Sequence, residues 1–268
     1  MCTIIALHRQ RSELPLVIAA NRDERLARPG LPPAELGREP RRWGGRDAEL
    51  GGSWMGVSER GLFVGLTNQR TDEAPDRQLR SRGEVVVEAL ACADLRDLSR
   101  FIRQLDARRY NPFNLLYGDG RALWVAYARP NAAAAELVEL PPGLHVLAND
   151  RLDSPWFPKV ERAQTLVAPF AGSPWEELRP ALERALADHA QPPKIPAPAR
   201  VAGMQATPEL VSGLQALCVH LPGYGTSSST LLALGPSRVA HYRFAAGPPC
   251  RTSFEDQTTL LEPSQCPT

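Results

Sequence analysis

Cys2 stands where a cysteine can do chemistry with the chain's own end. Removal of Met1 is expected when residue 2 is small, and it leaves one residue carrying both a thiol and a free α-amine. Their unperturbed pKa values lie near ~8.5 and ~8, so both exchange protons close to neutral pH. Nucleophile and general base then sit on a single residue, as in a threonine served by its own amine. The next dense polar group is Asn21-Arg22-Asp23-Glu24, which closes the apolar stretch 16–20. If that stretch pairs with 3–7, the tetrapeptide lies beside residue 2. Asp23 then orients the amine, and Arg22 favours the thiolate by its charge. Read as a plain charge run, the same four residues are a turn with a surface salt bridge.

Other catalytic signatures are missing: no Walker loop, no Gly-x-Gly-x-x-Gly after a strand, no Gly-x-Ser-x-Gly and no His-Glu-x-x-His. His8, His145, His189, His220 and His241 are scattered, with none paired at helical spacing. Cys2, Cys92, Cys218, Cys250 and Cys266 form no Cys-x-x-Cys, and none pairs with a histidine at zinc spacing. The sequence therefore predicts no metal, no cofactor and no disulfide framework, with thiols reduced in a cytoplasmic setting.

The elements that must position these residues are mostly strands. Segments 3–7 and 16–20 read as a hairpin buried on both faces. Segments 52–57 and 62–67 read as a second, and 114–117 with 122–126 as a third, turning on Asp119-Gly120. A strand at 144–148 and a final pair at 228–234 and 239–244 complete the set. Helices are expected at 83–91, 95–105, 153–168 and behind Ser173-Pro174-Trp175-Glu176, read as a capping box with an apolar stripe beyond it. Hairpins grouped with helices between them predict an α+β fold in layers.

With 268 residues, surface scaling allows about 73% of the chain's surface to be buried, so no staple is required. Basic residues number 31 against 30 acidic, which removes the simplest argument for a nucleic-acid partner. Only two of the basic residues, Lys159 and Lys194, are lysines, a bias that reads as codon composition. No stretch approaches the ~18 apolar residues of a membrane span. The 26 prolines, about twice the ordinary share, sit in loops and at helix starts, and some of them crowd into a connector at 191–198 and a tail at 247–268. The chain reads as one domain over 1–246 followed by that Pro-rich tail.

Met1-Cys2 followed by Asn21-Arg22-Asp23-Glu24 resembles the NRDE family, the family of transport and Golgi organisation proteins. Further matches run in the family's order: 51–56 (GGSWMG), 66–68 (LTN), 81–84 (SRGE), 110–115 (YNPFNL), 147–149 (LAN), 154–156 (SPW) and 224–226 (YGT) leading into 228–230 (SST). The resemblance implies an N-terminal nucleophile hydrolase-like four-layer αββα sandwich of two antiparallel sheets. Bile salt hydrolases and penicillin V acylases share that architecture and cut amide bonds with an N-terminal cysteine. Carried over, Cys2 is the nucleophile, Asp23 the amine partner, Arg22 a further catalytic contributor and Asn149 the oxyanion donor. Asn21, Glu24 and Asn68 are expected to face the substrate. Members of the family usually carry arginine after Tyr-Gly-Thr, whereas Ser227 follows here. The expected function is amidase-type hydrolysis of a non-peptide C–N bond in a small molecule. The alternative is a non-catalytic binding or trafficking protein that holds a haem or lipid-like ligand in the same pocket. A pure interaction scaffold leaves the polar cluster unexplained.

Overall fold

The computed structural model describes residues 2–192, 200–236 and 238–261. Met1, Ser237, Cys266 and most of the proline connector expected at 191–198 lie outside them. In chain order the strands are β1 (Cys2–His8), β2 (Leu16–Arg25), β3 (Gly30–Arg38), β4 (Arg41–Asp47), β5 (Met55–Ser58), β6 (Phe63–Asn68), β7 (Phe113–Gly118), β8 (Leu123–Ala128), β9 (Glu136–Leu140) and β10 (Gly143–Leu147). They continue with β11 (Arg200–Val201), β12 (Met204–Gln205), β13 (His220–Leu221), β14 (Tyr224–Leu234), β15 (Val239–Ala245) and β16 (Glu255–Asp256). The helices are α1 (Arg82–Ala89), α2 (Leu95–Gln104), α3 (Pro158–Val167), α4 (Trp175–Leu186) and α5 (Pro208–Gly213).

Two antiparallel sheets carry the fold. One runs β10-β1-β2-β14-β15-β16 with β13 paired to β14, and the other runs β3 to β9 in sequence order. Strand alternation assigns the layers, because successive side chains point to opposite faces. Ile4 and Ala6 of β1 and Leu16, Ile18 and Ala20 of β2 meet Val57, Phe63, Leu116 and Val125 of the second sheet. Their alternates Ile5, Leu7, Val17 and Ala19 pack instead on α3 and α4, through Val160, Ala163, Leu178 and Leu182. On the far side, Val64, Leu66 and Leu115 meet α1 and α2 through Val85, Val86, Leu98 and Ile102. The result is helix, sheet, sheet, helix, the four-layer αββα sandwich.

Several local expectations change. The tetrapeptide 21–24 is not a turn after a strand; it continues β2, because β14 pairs along it from Leu16 to Arg25. The helix expected at 153–168 begins at Pro158, with proline at its start. The capping box at 173–176 does not form: Pro174 occupies the cap position of α4 and no side chain bonds there. Of the residues expected in a tail, Glu255 and Asp256 pair with β15, and the Gln257 N–H donates to the Tyr242 carbonyl at 2.7 Å.

Candidate active site

The register of the first hairpin sets the site. Cys2 lies opposite Arg22 and Thr3 opposite Asn21. On the other side of β1, Ile4 pairs with Leu147, so Asn149, two residues further on, is level with Cys2. On the far side of β2, Asp23 pairs with Thr226 and Arg22 with Ser228, leaving Ser227 in an irregularity between them. Strand pairing alone therefore gathers Cys2, Arg22, Asp23, Thr226 and Asn149 at one end of one sheet.

Alternation then divides them between faces. Asn21 and Asp23 point towards the helix layer, with Ala19 and Val17. Asn21 is fully committed there: its amide donates to the Leu186 and Leu217 carbonyls at 2.8 and 2.9 Å and its oxygen accepts from Ser229 Oγ at 2.5 Å. Expected to face substrate, Asn21 instead ties β2 to the end of α4. Asp23 accepts from Thr226 Oγ1 at 2.6 Å and stands 3.9 Å from Lys159 Nζ, both side chains essentially out of water. Lys159, from α3, also lies 3.4 Å from Thr3 Oγ1. Burial pushes the Asp23 carboxyl up, and the Lys159 charge holds it back. Burial likewise pushes the Lys159 ammonium down, and Asp23 opposes that. The Tyr224 hydroxyl donates to the Asp23 carbonyl at 2.9 Å, fixing the backbone at the same point.

Arg22 points the other way, between the sheets. Its guanidinium lies 4.6 Å over the Trp54 ring and donates to Ser227 Oγ at 2.9 Å, while Ser227 Oγ donates back to the Arg22 carbonyl at 3.1 Å. Ser227 thus holds Arg22 from two sides. A second guanidinium comes from Arg82. The backbones of Gly52 and Gly83 approach so closely that a Cβ on Gly52 would lie 2.5 Å from the Gly83 carbonyl carbon. This contact between two of the sequence motifs sets the start of α1 within electrostatic reach of Cys2 and Glu24. Glu24 itself lies at the rim, accepting from the Arg25 N–H at 2.8 Å and from Arg28 at 3.4 Å.

Cys2 is half-buried. Enclosure pushes its thiol above the ordinary value, and the Asp23 charge adds to the rise. The charge of the chain's α-ammonium, then Arg22 and the Asp23 backbone N–H, pull it down without reversing it. The thiolate that Arg22 alone was expected to favour is thus outweighed by burial. Asn149 is wholly buried. Its amide donates to the Asn68 carbonyl at 2.7 Å, which joins the two sheets, and its Oδ1 has no hydrogen-bond partner among the described residues. One amide hydrogen and one oxygen of Asn149 therefore remain available level with Cys2. Asn68 meets this cluster through its backbone.

Sequence reasoning missed Lys159, Thr226, Tyr224 and Arg82. Lys159 had left one signal, its rarity in this arginine-rich chain. A surface cavity of about 470 Å³ lies elsewhere, against Arg179, Arg243, Cys250 and Phe254. No helix among the described residues is long and apolar enough to cross a membrane.

The family model for Transport and Golgi organisation 2 matches residues 1–243. The human Transport and Golgi organization protein 2 homolog is 32% identical over 235 residues, covering 81% of each chain. The Bos taurus homolog is 34% identical over 236 residues, with the same coverage. Among solved structures, an N-acylethanolamine-hydrolyzing acid amidase ortholog from Caenorhabditis elegans superposes with a TM-score of 0.56 at 13% identity, covering 88% of this chain and 93% of that one. A mutant conjugated bile acid hydrolase from Clostridium perfringens gives 0.51 at 10% identity, covering 98% and 94%.

Proposed function

This chain belongs to the Transport and Golgi organisation 2 family, and from that premise we propose that it is an N-terminal cysteine amidohydrolase acting on a non-peptide C–N bond of a small molecule. One observation carries the reading: Cys2, Arg22, Asp23 and Asn149 meet at one sheet end, with Asn149 holding unused polar capacity level with the thiol. The two structural neighbours, named as an acid amidase and a bile acid hydrolase, support the reaction class on the same fold.

In this mechanism removal of Met1 frees the Cys2 amine beside Asp23. The amine takes the thiol proton, and sulfur attacks the amide carbon. The free Asn149 hydrogen donates to the developing oxyanion, a contact worth roughly 2.7–4 kcal/mol in the transition state. The C–N bond breaks, the amine leaves with the proton, and water hydrolyses the thioester. Arg22 and Arg82 give the site a positive field, which suits a substrate with an anionic group.

A second reading, a binding or trafficking protein for a haem or lipid-like ligand, draws on the raised thiol pKa of Cys2. Intact mass after treatment with a small electrophile separates the two. Hydrolysis requires a chain lacking Met1, with Cys2 alkylated faster than buried Cys92, whose thiol is pushed up to about 11. Blocking Met1 removal should slow Cys2, and general-base loss should cost ~10²–10⁴ in amide hydrolysis. A processed chain whose Cys2 reacts no faster than Cys92 would leave the binding reading.

A further inference from the structure

A second cluster of reactive side chains lies away from Cys2. His189 follows α4, Cys218 and His220 lead into and open β13, and Cys250 sits in the turn after β15. One ligand atom from each lies within 4.8 Å of all the others. Cys218 Sγ is 3.6 Å from His220 Nε2 and 3.8 Å from Cys250 Sγ, and His220 Nε2 is 3.3 Å from Cys250 Sγ. A tetrahedral zinc with Zn–S of about 2.3 Å and Zn–N of about 2.0–2.1 Å sets its sulfurs about 3.8 Å apart and its N and S ligands about 3.5 Å apart. The three separations among Cys218, His220 and Cys250 are close to the edges of such a tetrahedron, and His189 stands within 4.8 Å of all three.

We propose that His189, Cys218, His220 and Cys250 form a structural Cys2His2 site for a divalent zinc-like ion. Two thiolates and two neutral imidazoles balance the charge of Zn(II), and binding releases the two thiol protons. The surroundings already orient the ligands. His189 Nδ1 lies 3.1 Å from the Cys218 carbonyl, and donation of the Nδ1 proton there leaves the Nε2 lone pair for the metal, the usual outer partner of a zinc histidine. The Cys218 N–H donates to the Asp188 carbonyl at 2.9 Å, which holds the α4 exit against β13. Both histidines are exposed, Cys218 is buried and Cys250 half-buried, so the ion has an entry path.

Such an ion ties three distant segments together and pins the chain after β15 to the fold. It also braces the other site from a distance. The Val219 N–H, one residue from Cys218, donates to Thr226 Oγ1 at 2.9 Å, and that hydroxyl is the donor to Asp23. The proposal stands whether or not Cys2 is a nucleophile. Only Cys218-x-His220 is local; His189 and Cys250 lie 29 and 30 residues from their contacts in it. This is why the sequence predicted no metal: its zinc spacings are short-range ones.

The test uses the full chain without a histidine tag, kept reduced and titrated with Zn(II) and, separately, Co(II). One equivalent should stay bound through gel filtration, and the cobalt form should show the intense d–d bands and thiolate charge transfer of tetrahedral coordination. His189→Gln, at an exposed position, and Cys250→Ser should each weaken cobalt binding by more than the roughly 10–100-fold caused by losing an outer partner. Cys92→Ser should bind as wild type. Zinc should raise the melting temperature of wild type and leave that of His189→Gln unchanged. A folded wild-type chain that binds no stoichiometric metal would overturn the assignment. So would an octahedral cobalt spectrum, binding unchanged in His189→Gln, or a Cys218 to Cys250 disulfide that persists under reductant in place of metal.

Discussion

The Lys159 side chain is 1% exposed, so its ammonium has left water, and Asp23 at 3.9 Å is the charge that offsets the cost. Removing one partner of such a pair is worse than removing both. Lys159→Met should therefore lower stability by about 3–5 kcal/mol, measured by urea unfolding at neutral pH. Asp23→Asn combined with Lys159→Met should recover most of the loss. The pH dependence has a definite sign. Asp23 is raised in the folded state, so the folded chain holds that proton to higher pH than the unfolded one. Stability then falls as pH rises from the ordinary carboxylate value through the folded value. Lys159→Met raises Asp23 further, so its penalty should shrink in acid, where the carboxyl is neutral. Equal losses in the single and double variants would mean that the two groups are not coupled. Of this chemistry the sequence showed Asp23 but not its partner, because a helix residue reaching across a layer leaves no local pattern.

Edge strands show how an element is held when it has one neighbour. Among the described residues β10 pairs only with β1, and a polar latch secures its outer part. His145 lies 2.9 Å from Asp153 Oδ2 and 2.9 Å from the Pro141 carbonyl, while Asp153 Oδ1 accepts from the Val146 N–H at 2.7 Å. Burial alone would lower the His145 pKa; the Asp153 bond, the carbonyl and the Asp153 charge together outweigh it, so the net direction is upwards. A raised folded value means stabilisation that is complete below the unfolded value, about 6.5, and is lost as pH rises through the folded one. Asp153→Asn keeps an acceptor and tolerates the positive φ of 53° at that position. It should flatten the dependence of the urea midpoint on pH as pH rises from about 6.5. An unchanged slope would show that the latch does not titrate with folding. Two of the strands that the sequence did not show, β3 and β9, are edges, while β4 lies between β3 and β5. β3 contains Pro32 and Pro33 and is largely exposed, which hides it from a hydrophobic pattern and suits only an outer strand.

At the scale of the whole molecule the site depends on two sheets being the right distance apart. The paired apolar strands, β1 with β2, β5 with β6, β7 with β8 and β14 with β15, were legible because each is a run of mostly buried residues between turns. Their stacking into one sandwich was reached through the family motifs. The contacts between layers, Asn149 to Asn68 and Lys159 to Asp23, were not legible, since neither pattern nor spacing encodes what faces what across a core. Gly65 of β6 offers a way to test the spacing. A Cβ there would lie 2.9 Å from Phe63 Cζ and 3.0 Å from Ile4 Cδ1, and Ile4 is two residues from Cys2. Both atoms are far ends of side chains, so alanine can be absorbed by small rotations. Valine adds two methyl groups to a filled interface and must displace β1 or β6. Gly65→Val should cost about 1–3 kcal/mol of stability through overpacking and should change the alkylation rate of Cys2 while leaving that of Cys92 unaltered. Gly65→Ala should show a smaller change in the same direction. If valine left both stability and Cys2 reactivity at wild-type values, the sheets would be free to part at this level. The geometry around Cys2 would then be held by strand pairing within one sheet alone.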